Sequence, residues 1–230
     1  FAIMGATAMV TKKIRLGTGV MIPSNRIAPV AASGLATLNA LAPGRIDWGL
    51  STGSTARSTM GLTRVKQAEM EEYVRVVQGL LAGDTLEWTF EEKRRKIRFM
   101  DPDIGAINIK DPIPLHISAF GPKGRMLTAR LGAGWINGTA NVAHGKAGLA
   151  DMQKSWAAAG RDPAALHATG TISGCVLKDG EVDVNVNNSA FTGGQYAAII
   201  NGTYNRLKIG GSIIGGSTGR GIQLNTASSG

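Results

Sequence analysis

The chain has 230 residues, 43% of them hydrophobic, and 25 Lys and Arg against 16 Asp and Glu give it a net charge of +9. That composition excludes a disordered chain, and the lone Cys175 excludes an intrachain disulfide framework. No apolar run reaches membrane-spanning length and no charged-then-apolar leader precedes a cleavage site, so a cytoplasmic protein without a membrane partner is expected. The chain opens on Phe1-Ala2 rather than Met, and the expectation is that a natural N-terminus lies further upstream.

Residues 1–11 predict the last turns of a buried helix, closed by Thr11-Lys12-Lys13, whose cations suit a helix C-terminus. A strand is expected over 14–21. From Ile27 the apolar positions Val30, Ala31, Leu35, Leu38 and Leu41 recur at helical spacing, with Pro29 tolerated in the first turn. Pro43-Gly44 stops that helix, and 45–50 is short and apolar enough for a buried strand. The strand runs into Ser51-Thr52-Gly53-Ser54, a turn of small residues with accessible N–H groups, where a phosphate could meet a helix start. Ser54 is expected as its N-cap.

A second amphipathic helix is predicted over 65–81, with Tyr73, Val76, Val77, Leu80 and Leu81 as its core stripe. Residues 85–111 break the rhythm and predict a hairpin excursion carrying Lys93-Arg94-Arg95-Lys96. That basic run reads as a solvated loop, and no zinc-finger spacing or aromatic RNA-binding signature accompanies it, so nucleic acid is not an expected partner. A strand over 113–119, a turn at Phe120-Gly121-Pro122-Lys123-Gly124 and a helix over 125–131 follow. A strand over 134–137, a helix over 143–159 and a strand over 169–177 complete the pattern. Apolar strands alternating with helices imply a parallel sheet covered by helices, either an open doubly wound sheet or a (β/α)8 barrel. Both carry their chemistry at the strand C-termini, here Thr18-Gly19, Ser51-Gly53, Phe120-Gly121 and Asn137-Gly138.

The segments IRLGTGV, LAPGRIDWGLSTGS, EMEEYVRVVQGLLAGDTLEW, IPLHISAFGPKGRMLTARLGAGWIN and TISGCVL, in that order, resemble the bacterial luciferase-like family of flavin- and deazaflavin-dependent oxidoreductases. The resemblance runs from about residue 1 to 178. It implies an incomplete α/β (β/α)8 TIM barrel in which these strands correspond to the third to seventh, with residues 1–180 forming the barrel segment. It also implies FMN or coenzyme F420 as cofactor, a small-molecule substrate, and either hydride transfer or monooxygenation. Homodimer formation stays open. A reduced flavin delivers hydride or reacts with oxygen, whereas a reduced deazaflavin delivers hydride only.

By the same resemblance, a non-proline cis peptide is expected at Gly19-Val20, bulging toward the cofactor ring. Ser51, Thr52 and Gly53 would approach the ring or its side chain, and Ala119, Phe120, Gly121, Pro122 and Lys123 would form the phosphate-binding turn. His116 is expected to be a core histidine and Trp48 and Trp135 packing residues. The family often places an aspartate before the Gly-Trp pair, where this chain has Ala133. No catalytic acid or base is assigned, and no metal site is expected.

From Val182 onward the sequence is rich in Asn, Gly, Ser and Thr, as in residues 184–189 and 210–217, and acidic residues stop after Asp183. Residues 181–230 are therefore expected to be a peripheral tail, with one short helix over 195–207. Two rivals stand beside the oxidoreductase: an inactive cofactor-binding fragment, and a basic α/β protein that binds polyanions.

Overall fold

Short apolar runs broken by Pro-Gly and Gly-Pro turns set up an alternation of strand and helix. The computed structural model follows it through residues 1–139 and 142–172, with short strands described at 175–176, 181–183, 196–198, 204–209, 212–217 and 222–224. The chain folds as two compact units, Phe1–Ser118 and Ala119–Gly230.

In the first unit, helix α1 (Ala2–Val10) ends without a basic residue in its last turn. Its C-terminal carbonyls are served instead by Arg45, whose guanidinium donates to Ala8, Thr11 and Ile14 carbonyls and to Thr11 Oγ1. The expected roles of Lys12 and Lys13 thus pass to a side chain distant in sequence. Strand β1 (Leu16–Gly17) pairs in parallel with β2 (Ile46–Leu50), and β2 with the later strand at Leu115–Ser118. The strand expected over 14–21 is reduced to two residues and an isolated bridge from Met21 to Leu50. Residues 18–20 leave the ladder, and the Thr18 hydroxyl takes the missing backbone's place: it accepts from Gly49 N–H at 2.9 Å and donates to Gly49 O at 2.7 Å.

Helix α2 (Ala28–Leu41) starts with Pro29 in its first turn and buries Ala31, Ala32, Leu35, Ala36 and Leu38. Val30 and Leu41, expected in the core, are 52% and 45% exposed, because the narrow buried stripe is filled by alanines. On β2, Ile46, Trp48 and Leu50 are wholly buried, each such side chain adding about 1.5–3 kcal/mol of apolar transfer. After the short helix α3 (Ser54–Ser58) comes α4 (Gln67–Leu81), whose Tyr73 ring lies 6.3 Å from Trp48. Burial pushes the Tyr73 hydroxyl up to about 12 against the opposing pull of the Arg26 charge, and it donates to Arg26 O at 3.0 Å. Buried Asn39 spends its amide completely, donating to Asn108 O and Asp111 O and accepting from Gly44 N–H.

Strands β3 (Leu86–Phe90) and β4 (Lys93–Ile97) form the expected hairpin, with Trp88 and Phe90 stacked at 4.7 Å. Lys93, Arg94, Arg95 and Lys96 are all exposed. Strand β5 (Leu115–Ser118) closes the unit. One carboxylate on β2 links to both neighbouring segments. Asp47 on β2 accepts from Arg15 at 2.8 and 2.9 Å and lies 3.2 Å from His116 Nε2 on β5. Burial alone would raise the Asp47 carboxyl, but hydrogen bonds and charge from His116 and Arg15 outweigh it and hold it below the usual carboxylate range.

In the second unit, helix α5 (Pro122–Leu131) begins at Pro122 rather than at 125, since proline's missing N–H costs nothing in the first turn. Strand β6 (Gly134–Thr139) pairs in parallel with β7 (Ala168–Ile172), and helix α6 (Val142–Ala158) lies between them in sequence. Of the strand expected over 169–177, residues 169–172 belong to β7, whereas β8 (Cys175–Val176) pairs with β9 (Glu181–Asp183). Arg161 covers the end of α5, donating to the Ala129 and Arg130 carbonyls. Residues expected to form a helix over 195–207 contain instead β10 (Tyr196–Ala198) and the start of β11 (Tyr204–Ile209). Tyrosine and isoleucine favour strand over helix. Strand β11 pairs with β9 in parallel and with β12 (Ser212–Ser217) in antiparallel, while β10 pairs with β13 (Ile222–Leu224). Residues 184–189 lie outside the described residues. Among the described residues no helix is long and apolar enough to cross a membrane.

Two measurements check this account. Glu91 and Glu92 form the two-residue hairpin turn with φ of 50° and 61°, a conformation suited to Asn-Gly and unfavourable for glutamate. Glu91→Asn with Glu92→Gly should stabilise the chain by about 1 kcal/mol, raising the unfolding midpoint by about 2–4 °C; an unchanged or lower midpoint would contradict the turn. Asp47→Asn should cost about 1 kcal/mol at neutral pH, the exposed Arg15 end being screened by solvent. Because the folded carboxyl sits below its unfolded value, this contribution is complete above about pH 4 and disappears as pH falls through the folded value. Denaturant titrations of the two proteins should therefore converge in acid, and parallel curves down to low pH would refute the network.

Candidate functional site

The first group of site residues lies where β1 leaves the ladder. The peptide bond between Gly19 and Val20 is cis, at the position the resemblance singles out. Gly19 is exposed, and a Cβ built on it would meet nothing within 4 Å, so this bend presents bare backbone to open space. Thr18 fixes one side of the bend through Gly49. The other side is fixed by Met21, which donates to Gly49 O at 2.8 Å and accepts from Ser51 N–H at 3.0 Å. The structure therefore brings Gly19 and Val20 beside the C-terminal end of β2. From the sequence Thr18 stands out only as part of the Thr18-Gly19 strand end; an isolated threonine in a strand carries no signal that its hydroxyl will replace a backbone partner.

Ser51 is half-buried and its hydroxyl donates to Ser118 O at 3.3 Å, while Thr52 O accepts from Val65 N–H at 3.0 Å. Gly53, not Ser54, occupies the N-cap position of α3, and no side chain caps that helix. The glycine is required twice over: its φ is +79°, and a Cβ would stand 2.6 Å from Ile22 Cγ2. Helix α3 is a single turn of five residues, too short to offer the phosphate site expected at 51–54. What these residues present is a fixed surface of backbone and hydroxyls beside the Gly19-Val20 bend. His116, in contact with Asp47, sits within the strand network as a core histidine.

The second group opens the second unit. Ala119 is buried, Phe120 is 62% exposed, and Gly121 is the N-cap of α5 with Pro122 as the first helical residue. Gly121 has φ −91° and ψ 163°, an extended conformation open to any residue, and its Cβ would meet nothing within 4 Å. No side chain caps α5 and its first turn has no acidic residue. Pro122, exposed Lys123, Gly124 and Arg125 make up that turn, so two cations stand at the helix end whose dipole is already positive. Such an arrangement favours an anion. Gly138 on β6 lies under Phe120, its Cβ position 3.6 Å from the ring.

Both carbonyls before α5 are engaged by side chains. The indole Nε1 of Trp135 donates to Ala119 O at 2.7 Å in a buried bond, and Arg125 Nη1 donates to Phe120 O at 2.6 Å. Arg125 Nη2 also donates to Asp151 Oδ2 on α6 at 3.3 Å. Trp135, expected only to pack, is 2% exposed but also holds this turn. Among the described residues no group of three or more His, Cys, Asp or Glu side chains could hold a metal ion.

A family model described as luciferase-like monooxygenase matches residues 1–205, beyond the 178 reached by the motifs. The F420-dependent glucose-6-phosphate dehydrogenase of Beutenbergia cavernae is 34% identical over 141 residues, covering 58% of this chain and 40% of that protein. The F420-dependent hydroxymycolic acid dehydrogenase of Mycobacterium tuberculosis is 32% identical over 165 residues, 68% of this chain and 43% of its own. Among solved structures, the coenzyme F420 dependent tetrahydromethanopterin reductase from Methanopyrus kandleri superposes with a TM-score of 0.61 at 22% identity, over 74% of this chain and 53% of that one. The chain thus spans less than half the length of these two curated relatives. Its fold is part of the luciferase-like (β/α)8 barrel, and the chain belongs to the luciferase-like monooxygenase family.

Proposed function

We propose that this chain is the cofactor-holding part of a flavin- or deazaflavin-dependent oxidoreductase acting on a small organic substrate. The observation that carries the reading is the start of α5: an uncapped helix N-terminus behind an open glycine, with two cations and no acid in its first turn. A phosphate supplies the negative charge that this end lacks, and Gly121 lets it approach the N–H groups of Lys123 and Gly124. FMN and F420 both carry such a phosphate, and both fit the residues present. The cofactor when bound supplies the redox chemistry, hydride transfer for either and reaction with oxygen for a flavin.

The chain's own contribution is to bind and to orient. The Gly19-Val20 bend, held from both sides by Thr18 and Met21, offers a rigid backbone surface against which a flat ring can rest. Ser51 and Thr52, fixed by Ser118 and Val65, line the adjoining end of β2. Between FMN and F420, the names of the relatives favour F420, since both curated proteins named above are F420-dependent dehydrogenases.

Titrating the protein with FMN and with F420 while recording visible absorbance and fluorescence tests this reading. At least one should bind, and Gly121→Val should fold normally, because its Cβ meets nothing and its backbone is extended. The valine side chain fills the phosphate's approach, so affinity should fall by at least about tenfold, or about 1.4 kcal/mol. Unchanged affinity in the folded variant would remove this turn from the site, and absence of binding by the parent chain to either cofactor would overturn the reading.

A further inference from the structure

We infer that Arg125 and Trp135 are positioning residues for the cofactor phosphate, an inference that rests on the reading above and assigns work to two side chains beyond the segment 119–123 expected to bind it. An anion at a helix start is repelled by any carbonyl oxygen that turns toward it, and the two carbonyls nearest this start belong to Ala119 and Phe120. Each is held by a different side chain: Ala119 O by the Trp135 indole at 2.7 Å from β6, and Phe120 O by Arg125 at 2.6 Å from within α5. With both acceptors engaged, the turn is left with donors to offer.

Arg125 is itself fixed at two points, the second being Asp151 on α6, so the guanidinium joins the turn, α5 and α6 in one frame. Its Nε is buried without a hydrogen-bond partner, and its side chain is only 17% exposed. Holding a cation there, next to Lys123 and against the helix dipole, is unfavourable on its own and favourable once an anionic phosphate arrives. No acid in the first turn and no side-chain cap offset the two cations at this helix start. The geometry therefore assigns Arg125 and Trp135 to setting the backbone that contacts phosphate, not to contacting the ring.

The test compares each chromophore with and without its phosphate: FMN against riboflavin, and F420 against its dephosphorylated chromophore, on the full chain. The parent protein should bind the phosphorylated form of its cofactor at least about tenfold more tightly. Arg125→Met and Trp135→Phe should each erase most of that preference while leaving affinity for the phosphate-free form within about twofold. Circular dichroism verifies folding, and the Arg125 variant decides the matter if the fully buried Trp135 variant does not fold. If the folded variants keep the preference, or lose affinity for both forms equally, the inference is overturned. A parent protein that binds both forms equally well overturns the phosphate assignment and this inference with it, whereas one that binds neither chromophore overturns the proposed function itself.

Discussion

The first unit depends on a single charged side chain set in the middle of a parallel sheet. Asp47 takes two hydrogen bonds from Arg15, the residue just before β1, and faces His116 on β5, so one acceptor on β2 links to both neighbouring segments. The register of both neighbours follows from it: Gly17 must stand opposite Asp47, and His116 opposite Gly49. A slip of one residue would turn Asp47 toward the face where Trp48 and Leu50 are wholly buried, leaving an unpaired carboxylate among apolar side chains. The register matters for function because it decides where β1 ends. With Gly17 paired, Thr18 reaches Gly49, and the exposed Gly19 bend lies beside Ser51.

The two groups of candidate residues solve the same physical problem in the same way. A cofactor approached by backbone needs that backbone rigid and free of side chains, and small residues alone give freedom without rigidity. In the first group rigidity comes from the Thr18 hydroxyl and the Met21 bridge; in the second it comes from Trp135 and Arg125. Each glycine has its own role within this scheme. Gly53 is demanded by its positive φ and by Ile22, whereas Gly19 and Gly121 could geometrically accept a side chain. The latter two leave open space beside bare backbone.

The sequence made the strand-helix order legible because parallel strands and their covering helices are written as separate apolar runs with strong stops between them. Helices α2, α4 and α6 fell close to their expected bounds for that reason. Contributions from side chains distant in the chain were not legible. Arg45 capping α1, Asp47 linking Arg15 to His116 and Arg125 holding Phe120 O are polar contacts that pattern and propensity do not encode. The hairpin was expected from its apolar and basic runs, yet its turn could not be typed, since Glu91-Glu92 lacks the Asn or Gly that announces positive φ.

The same limit explains why the loop after β2 looked more like a phosphate site than the structure allows. Small hydroxyl residues followed by a helical pattern fit an anion-binding turn, and the sequence does not reveal that the helix stops after five residues. Helix α5 runs for ten residues and sums more peptide dipoles along its axis, and it starts with cations where an isolated helix would prefer acids. Of the two turns, then, only the one before α5 combines donor groups, positive charge and open space. Within the first unit, the backbone at Gly19 is bare and faces open space without a charge of its own, so what it offers is shape rather than charge.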